Sequence, residues 1–306
     1  MTAITRTDLE GLTLIHRGKV RDVWRVDEAH LLLVATDRIS AFDRILGTPV
    51  AGKGAALTQT SAFWFRTLGL ESHFVSEKAR DMPPAVAAHA RRLGGRATLV
   101  REVAIVPVEC VVRGHLAGSV EAAYRKDGAI QGVPLPPGIP LGGAFPTPIF
   151  TPTTKAAQGH DQPLTYAELE AQVGFALAAK LRDRSLEAFA LASKRCRDAG
   201  LILCDTKFEL GHDAGGRLVL ADEALTPDSS RFFLASEHRP GERPPVAWDK
   251  QVVRDYLRTL PAGSMEAPDA PTLPATVVAA TLERYRAVYR KLAGRDVEAA
   301  VAEAVA

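Results

Sequence analysis

Apolar and polar positions alternate most clearly between residues 200 and 233. From 201 to 210, Ile202, Cys204, Thr206, Phe208 and Leu210 fall on one face of an extended chain, and Asp205, Lys207 and Glu209 on the other. Residues 211–216 are turn chemistry, and 218–221 read as a return strand that ends in Asp222-Glu223. The pattern predicts a hairpin, apolar beneath and charged on top. Its charged face has two readings. It is either a solvated surface or a seat for Mg2+, which takes a few hard oxygen ligands together with phosphate oxygens. The hydroxyl-rich segment 226–231 carries Asp228, Ser230 and Arg231. It is either an ordinary turn or a loop in which Arg231 grips a phosphate or carboxylate.

The same patterns place elements along the rest of the chain. Residues 12–16, 20–26 and 31–36 read as strands, with a turn at Arg17-Gly18 and a tip at Asp27-Glu28. Lys19 follows the glycine turn. Either this is a plain hairpin with exposed basic residues, or the backbone folds over a nucleotide and Lys19 reaches its phosphates. Asp37, Ser40 and Asp43 lie in a polar loop after a strand, either salt-bridged or binding. Residues 54–68 form a predicted helix with Phe63 and Leu68 inward and Gly69 closing it. A second short helix spans 83–93. Strands are expected at 97–101 and 105–113, with Glu109 either an edge residue or a ribose contact. Arg113 leaves that strand, and Ser119 opens a helix to 126, where a hydroxyl and free amides suit an N-cap and a phosphate alike.

Residues 128–163 look loop-like and too long for a connector, which suggests a functional segment or lid. Lys155 within it is either solvated or able to close over phosphates. Thr165-x-x-Glu168 is a capping box that opens a helix to about 173. A longer helix runs to 199, with Leu186, Phe189, Ala190, Ser193 and Cys196 or Arg197 as its inner stripe. Two helices, about 250–260 and 275–293, finish the pattern. The second buries Val278, Leu282, Tyr285, Tyr289 and Leu292. The alanine-rich tail from Asp296 has no assigned element.

Composition narrows the classes. The 306 residues suffice for a real core and two or three subdomains. Lys and Arg exceed Asp and Glu by only 38 − 36 = 2, so the global basic field of a nucleic-acid binder is missing. Cys110, Cys196 and Cys204 lack metal-type spacing and read as buried thiols in a reducing compartment. No apolar run approaches membrane-spanning length and no signal-peptide core is visible, so a cytoplasmic location without a membrane partner is expected. Oligomeric state is left open.

Six motifs stand in order: GKVRDVW, DRISAFD, PVECVVRGHLAGS, FTPTTKAAQGHD, DTKFELG and DEALTPDSSRFF. Together they resemble the phosphoribosylaminoimidazole-succinocarboxamide synthase (SAICAR synthetase) family of purine biosynthesis, from about Gly18 to the last helix. The resemblance implies an α+β fold with ATP in a cleft between domains. An N-terminal antiparallel β domain (1–112) would precede a larger α+β domain (113–247) and a helical segment (248–306). It also implies a ligase reaction: ATP, L-aspartate and the carboxylate ribotide CAIR give SAICAR, ADP and phosphate, with Mg2+.

Carried over residue by residue, Lys19, Glu109, Lys155, Glu209 and Asp222 would bind ATP, Glu209 and Asp222 through the metal. Arg113, Ser119, Ser230 and Arg231 would hold the ribotide. Lys207 and Asp228 are the catalytic candidates, Asp228 as acceptor of the amine's proton. Asp37, Ser40 and Asp43 would lie on the aspartate side. Ala224-Leu225 departs from the family by a smaller first residue. A small-molecule kinase with the same cleft would instead leave a stable phosphorylated product. A silent binding protein is disfavoured by the intact set of Lys19, Lys155, Glu209 and Asp222.

Overall fold

The computed structural model describes residues 2–155, 161–242, 245–267 and 269–306. Its first sheet has five antiparallel strands in the spatial order Thr13–Arg17, Arg21–Arg25, His30–Ala35, Ala97–Arg101 and Phe74–Ser76. Alternation turns Trp24, Leu32 and Val34 onto a small core with Leu9, Val86 and Leu93. The helix Lys53–Leu68 is buried on nearly every side, as a helix between layers must be. It passes so close to the sheet that a Cβ on Gly54 would stand 2.2 Å from the carbonyl oxygen of Ala35.

The second sheet is built around the long strand Leu201–His212. Val108–His115, Leu218–Ala221 and Ser230–Leu234 pair with it antiparallel, and Ala144–Phe150 lies outside Val108–His115. Its apolar face packs on the helix Phe175–Asp198 through Phe189, Ala192, Cys196, Phe208 and Leu210. The two sheets are tied by backbone bonds from His73 N to Leu220 O (2.9 Å) and from Leu220 N to Glu71 O (3.0 Å). The C-terminal helices reach back: Tyr285, Tyr289, Val297 and Ala300 pack on Ala56 and Leu57. Val253 and Leu257 pack on Ile39 and Val50. The result is an α+β fold with antiparallel sheets and C-terminal helices.

Several expected elements differ. The helix at 83–93 is two short turns, Pro84–Ala87 and Ala90–Leu93. The strand at 105–113 is broken at Pro107, which lacks a ladder donor, into Ala104–Ile105 and Val108–His115. The boundary expected after residue 112 therefore falls inside a strand that belongs wholly to the second sheet. Residues 128–163 hold the strand Ala144–Phe150, whose Pro146 and Pro148 hid it from a pattern search; its edge position accommodates them. Ser230–Leu234 is a strand, where the turn was expected to run to Arg231. The inner stripe of Phe175–Asp198 is Ala178, Leu181, Ser185, Ala188, Phe189, Ala192 and Cys196, with Ala190 and Arg197 exposed. The tail forms the helix Val297–Val305.

Candidate active site

From Asp205 onward, period-two alternation sends Asp205, Lys207 and Glu209 to one face; before it, a register irregularity between Leu203 and Asp205 puts Leu201 and Leu203, and not the expected Ile202 and Cys204, on the core with Phe208 and Leu210. Strand register then fixes what meets them. Asp205 stands opposite Arg113 on one side and Arg231 on the other, and Lys207 opposite Val111. Glu209 pairs with Ala221, so Asp222 follows one step beyond its neighbour. Asp222 has φ 61, a left-handed conformation that an Asp tolerates better than most residues.

This face floors two cavities. The larger, about 670 Å³, is lined by Arg113, Ser119, Asp205, Ser230 and Arg231, among others. The smaller, about 340 Å³, is lined by Arg21, Ser40, Asp43, Glu109, Glu209 and Asp222, among others. Phe42, Lys207, Asp228, Ser229 and Arg254 line both. The larger cavity is lined by four guanidinium groups (Arg113, Arg231, Arg254 and Arg258) among five carboxylates, and the smaller by two guanidinium groups and six carboxylates, with Lys207 and Asp228 at their common wall.

Arg113 Nη1 and Arg231 Nη1 lie 2.9 and 3.2 Å from Asp205 Oδ2. In the smaller cavity each acid has a cationic partner: Lys155 on Glu209, Lys207 on Glu109, and Arg21 on Asp222. Burial and the adjacent Asp222 nonetheless push the Glu209 carboxyl up to about 7, against the pull of Lys155 and Arg21. Two crowded, poorly hydrated carboxylates fit a divalent cation. Among the described residues no group of three or more His, Cys, Asp or Glu could hold a metal. Mg2+ would therefore rely on Glu209, Asp222, water and phosphate oxygens, which is its usual habit.

Other expected site residues have distinct placements. Lys19 lies 2.6 Å from Asp43 Oδ1, and both are about half exposed. Ser119 precedes the helix Val120–Asp127 without making a side-chain capping bond. Lys155 is described, while Gly159 and His160 of its motif lie outside the described residues. Asp37 is not brought to either cavity. It is fully buried, bound by Arg96 (2.8 Å) and by the backbone N–H groups of Ile4 (2.8 Å) and Gly54 (3.0 Å), so it anchors the start of the helix Lys53–Leu68.

Asp228 also departs from its expected part. Burial pushes its carboxyl up, but Lys250, Lys53 and Tyr285 together hold it well below the usual carboxylate range. A group so acidic is a fixed anion, which disfavours the expected role as acceptor of the amine's proton. Lys53, Lys250, Arg254 and Tyr285 had been given no role. Lys250 and Arg254 sit one helical turn apart, a spacing legible in the sequence. Lys53 carries no local signal, and Tyr285 only that of a buried position on its helix.

The family model described as SAICAR synthetase matches residues 14–271. The chain belongs to the SAICAR synthetase family. It is 46% identical to phosphoribosylaminoimidazole-succinocarboxamide synthase of Halorhodospira halophila, over 95% of this chain and 98% of that one. It is 47% identical to the enzyme of the same name from Thioalkalivibrio sulfidiphilus, again over 95% and 98%. The structure of SAICAR-synthase from Saccharomyces cerevisiae complexed with SAICAR is similar at a TM-score of 0.83 and 35% identity, over 96% of this chain and 99% of that chain. SAICAR synthetases are ligases of purine biosynthesis that join L-aspartate to CAIR with ATP, and this chain is one of that family. No helix among the described residues is long and apolar enough to cross a membrane.

Proposed function

We propose that the two joined cavities form the centre in which this chain makes SAICAR, with ATP in the smaller and CAIR in the larger. The observation that carries the assignment is the common wall: a cavity that holds the Arg113 and Arg231 pair meets one that holds Glu109, Glu209, Asp222 and Glu223, with Lys207 and Asp228 lining both. A sugar phosphate suits the first and a metal-bound nucleotide the second. Arg113, Ser119, Ser230 and Arg231 hold the ribotide. Glu109 meets the nucleotide's ribose, and Lys19 and Lys155 meet its phosphates. Glu209 and Asp222 hold Mg2+, which when bound supplies charge neutralisation at the transferring phosphoryl group.

The γ-phosphoryl group passes to the CAIR carboxylate and ADP departs. Lys207, between the cavities, offsets the charge that gathers there. The amine of L-aspartate then attacks the acyl carbon, a C–N bond forms, the C–O bond to phosphate breaks, and the nitrogen's proton passes to the departing phosphate or to water. Positioning carries most of the rate, since no covalent enzyme intermediate is needed. Ser40 and Asp43 lie on the smaller cavity and belong to the aspartate side. The three cysteines are free and buried, which suits a reducing, cytoplasmic setting.

Purified protein given CAIR, ATP and Mg2+ should release ADP only when L-aspartate is added, with SAICAR formed in equal amount. ADP release without aspartate, leaving a stable phosphorylated ribotide, would make it a small-molecule kinase instead.

A further inference from the structure

Residues 40–45 form a tight hairpin. Ser40–Ala41 and Arg44–Ile45 pair antiparallel with Ala41 opposite Arg44, which leaves only Phe42 and Asp43 for the turn. Both have positive φ, 49 and 60. A two-residue turn of that kind prefers Asn and Gly at its centre, because a bulky side chain fits the left-handed region badly. Such strain persists only where the surroundings hold it. The stem supplies the hold: Ile39, Ala41 and Leu46 are buried with Val253, Leu257 and Leu273. The strain does not serve to bury the ring, since Phe42 is 48% exposed. Single exposed apolar residues are common, so exposure alone says little. Position says more. Among the exposed large apolar side chains of the described residues, Phe42 alone lines either cavity of the candidate site, and it lines both. Every other residue on the smaller cavity is charged, serine or alanine.

We propose that Phe42 is the water shield of the reaction: its ring, held out by a strained turn where the two cavities meet, covers the activated carboxylate of the ribotide until the amine of L-aspartate arrives. The inference rests on the assignment of the cavities above. An acyl phosphate that waits for an amine is open to water, and a wall of charged groups would keep water beside it. The reaction suppressed is a hydrolysis. A water oxygen bonds to the acyl carbon and the C–O bond to phosphate breaks. One proton of the water goes to phosphate and the other to solvent, and CAIR is regenerated at the expense of one ATP. A half-exposed aromatic ring is the one large apolar group placed to prevent this.

The test uses the full chain with Phe42→Gly, Phe42→Leu and Phe42→Tyr. ADP, phosphate, CAIR and SAICAR are measured with and without L-aspartate, beside the thermal midpoint. Phe42→Gly should raise ADP and phosphate release in the absence of aspartate at least about tenfold, with CAIR undiminished. With aspartate present, ADP should exceed SAICAR. Its thermal midpoint should hold or rise, since glycine suits the turn. Phe42→Leu should be partly uncoupled, and Phe42→Tyr, which keeps the ring, should stay coupled. ADP and SAICAR in equal amounts from Phe42→Gly, with no release without aspartate, would overturn the proposal. Uncoupling of Phe42→Tyr to the same degree as Phe42→Gly would also overturn it, by assigning the effect to the turn and not the ring. Failure of the cavity assignment looks different, because the unaltered protein would then form no SAICAR.

Discussion

Arg113 and Arg231 converge on one oxygen, Asp205 Oδ2, from 2.9 and 3.2 Å. They come from strands on opposite sides of Leu201–His212, and the shared carboxylate lets two guanidinium groups stand close without mutual repulsion winning. Arg113 Nε also donates to Thr151 and Arg231 Nε lies 3.7 Å from Asp249 Oδ2, which leaves the Nη2 groups for a phosphate. Arg231→Ala should therefore raise the ribotide KM by roughly thirty- to a hundred-fold, or about 2–3 kcal/mol, with smaller effects on KM for ATP and aspartate. Steady-state kinetics with CAIR varied checks this, and unchanged ribotide kinetics would remove Arg231 from the site.

Gly118 supports the same guanidinium from below. A Cβ there would lie 2.7 Å from Arg231 Nη2, and its φ of +71° is one that other residues adopt only under strain. Gly118→Ala should shift Arg231 and raise the ribotide KM in the same direction as Arg231→Ala but less. It should also cost about 1 kcal/mol of stability. The two variants combined should show less than the product of their separate effects, since both act on one group.

Asp222→Asn should cut turnover far more than ribotide binding. Glu209 and Asp222 are crowded enough that the Glu209 carboxyl is pushed up by burial and by its neighbour. Removing one charge relieves that crowding and leaves a poorer seat for a divalent cation. A Mg2+ titration of initial rate should move to higher concentration in the variant, while CAIR binding measured by calorimetry without nucleotide stays close to that of the unaltered protein. Equal losses in both measurements would count against the assignment.

His115 makes stability depend on acid. Burial, and His238 nearby, lower its pKa to about 4, and its Nδ1 is buried without a hydrogen-bond partner. An unfolded chain has its histidines near 6.5, so between about 6.5 and 4 the unfolded state binds more protons. The stabilisation is complete above about pH 6.5 and is lost as pH falls toward 4, by roughly 3 kcal/mol at most. Urea unfolding at several pH values should show this slope, and His115→Gln should reduce it, the rest coming from His73, whose pKa burial also lowers to about 4. A slope unchanged by the substitution would assign the acid sensitivity elsewhere.

Much of this site was legible before any coordinates. Asp205, Lys207 and Glu209 alternate along one strand, so their common face follows from backbone geometry alone. The turn after them and the return strand ending at Asp222 were legible for the same local reason. Asp37 shows where that kind of reading stops. Its motif suggested a binding loop, yet its burial depends on Arg96, which lies in the turn just before strand Ala97–Arg101. The strand Ala144–Phe150 was hidden because prolines mark loops in sequence, and an edge position is known only once its neighbours are in place.

The sequence by itself determined the hairpin, the order of most helices and strands, and the residue types that crowd its charged face. All of these are set by contacts between positions a few residues apart. Only the tertiary structure decided that Lys53, Asp228 and Tyr285 meet, that Asp37 serves the scaffold, and that two cavities share one wall. Those facts arise from the packing of segments separated by as many as 232 positions, from Lys53 to Tyr285. No periodicity along the chain records which distant side chains a folded core will bring together.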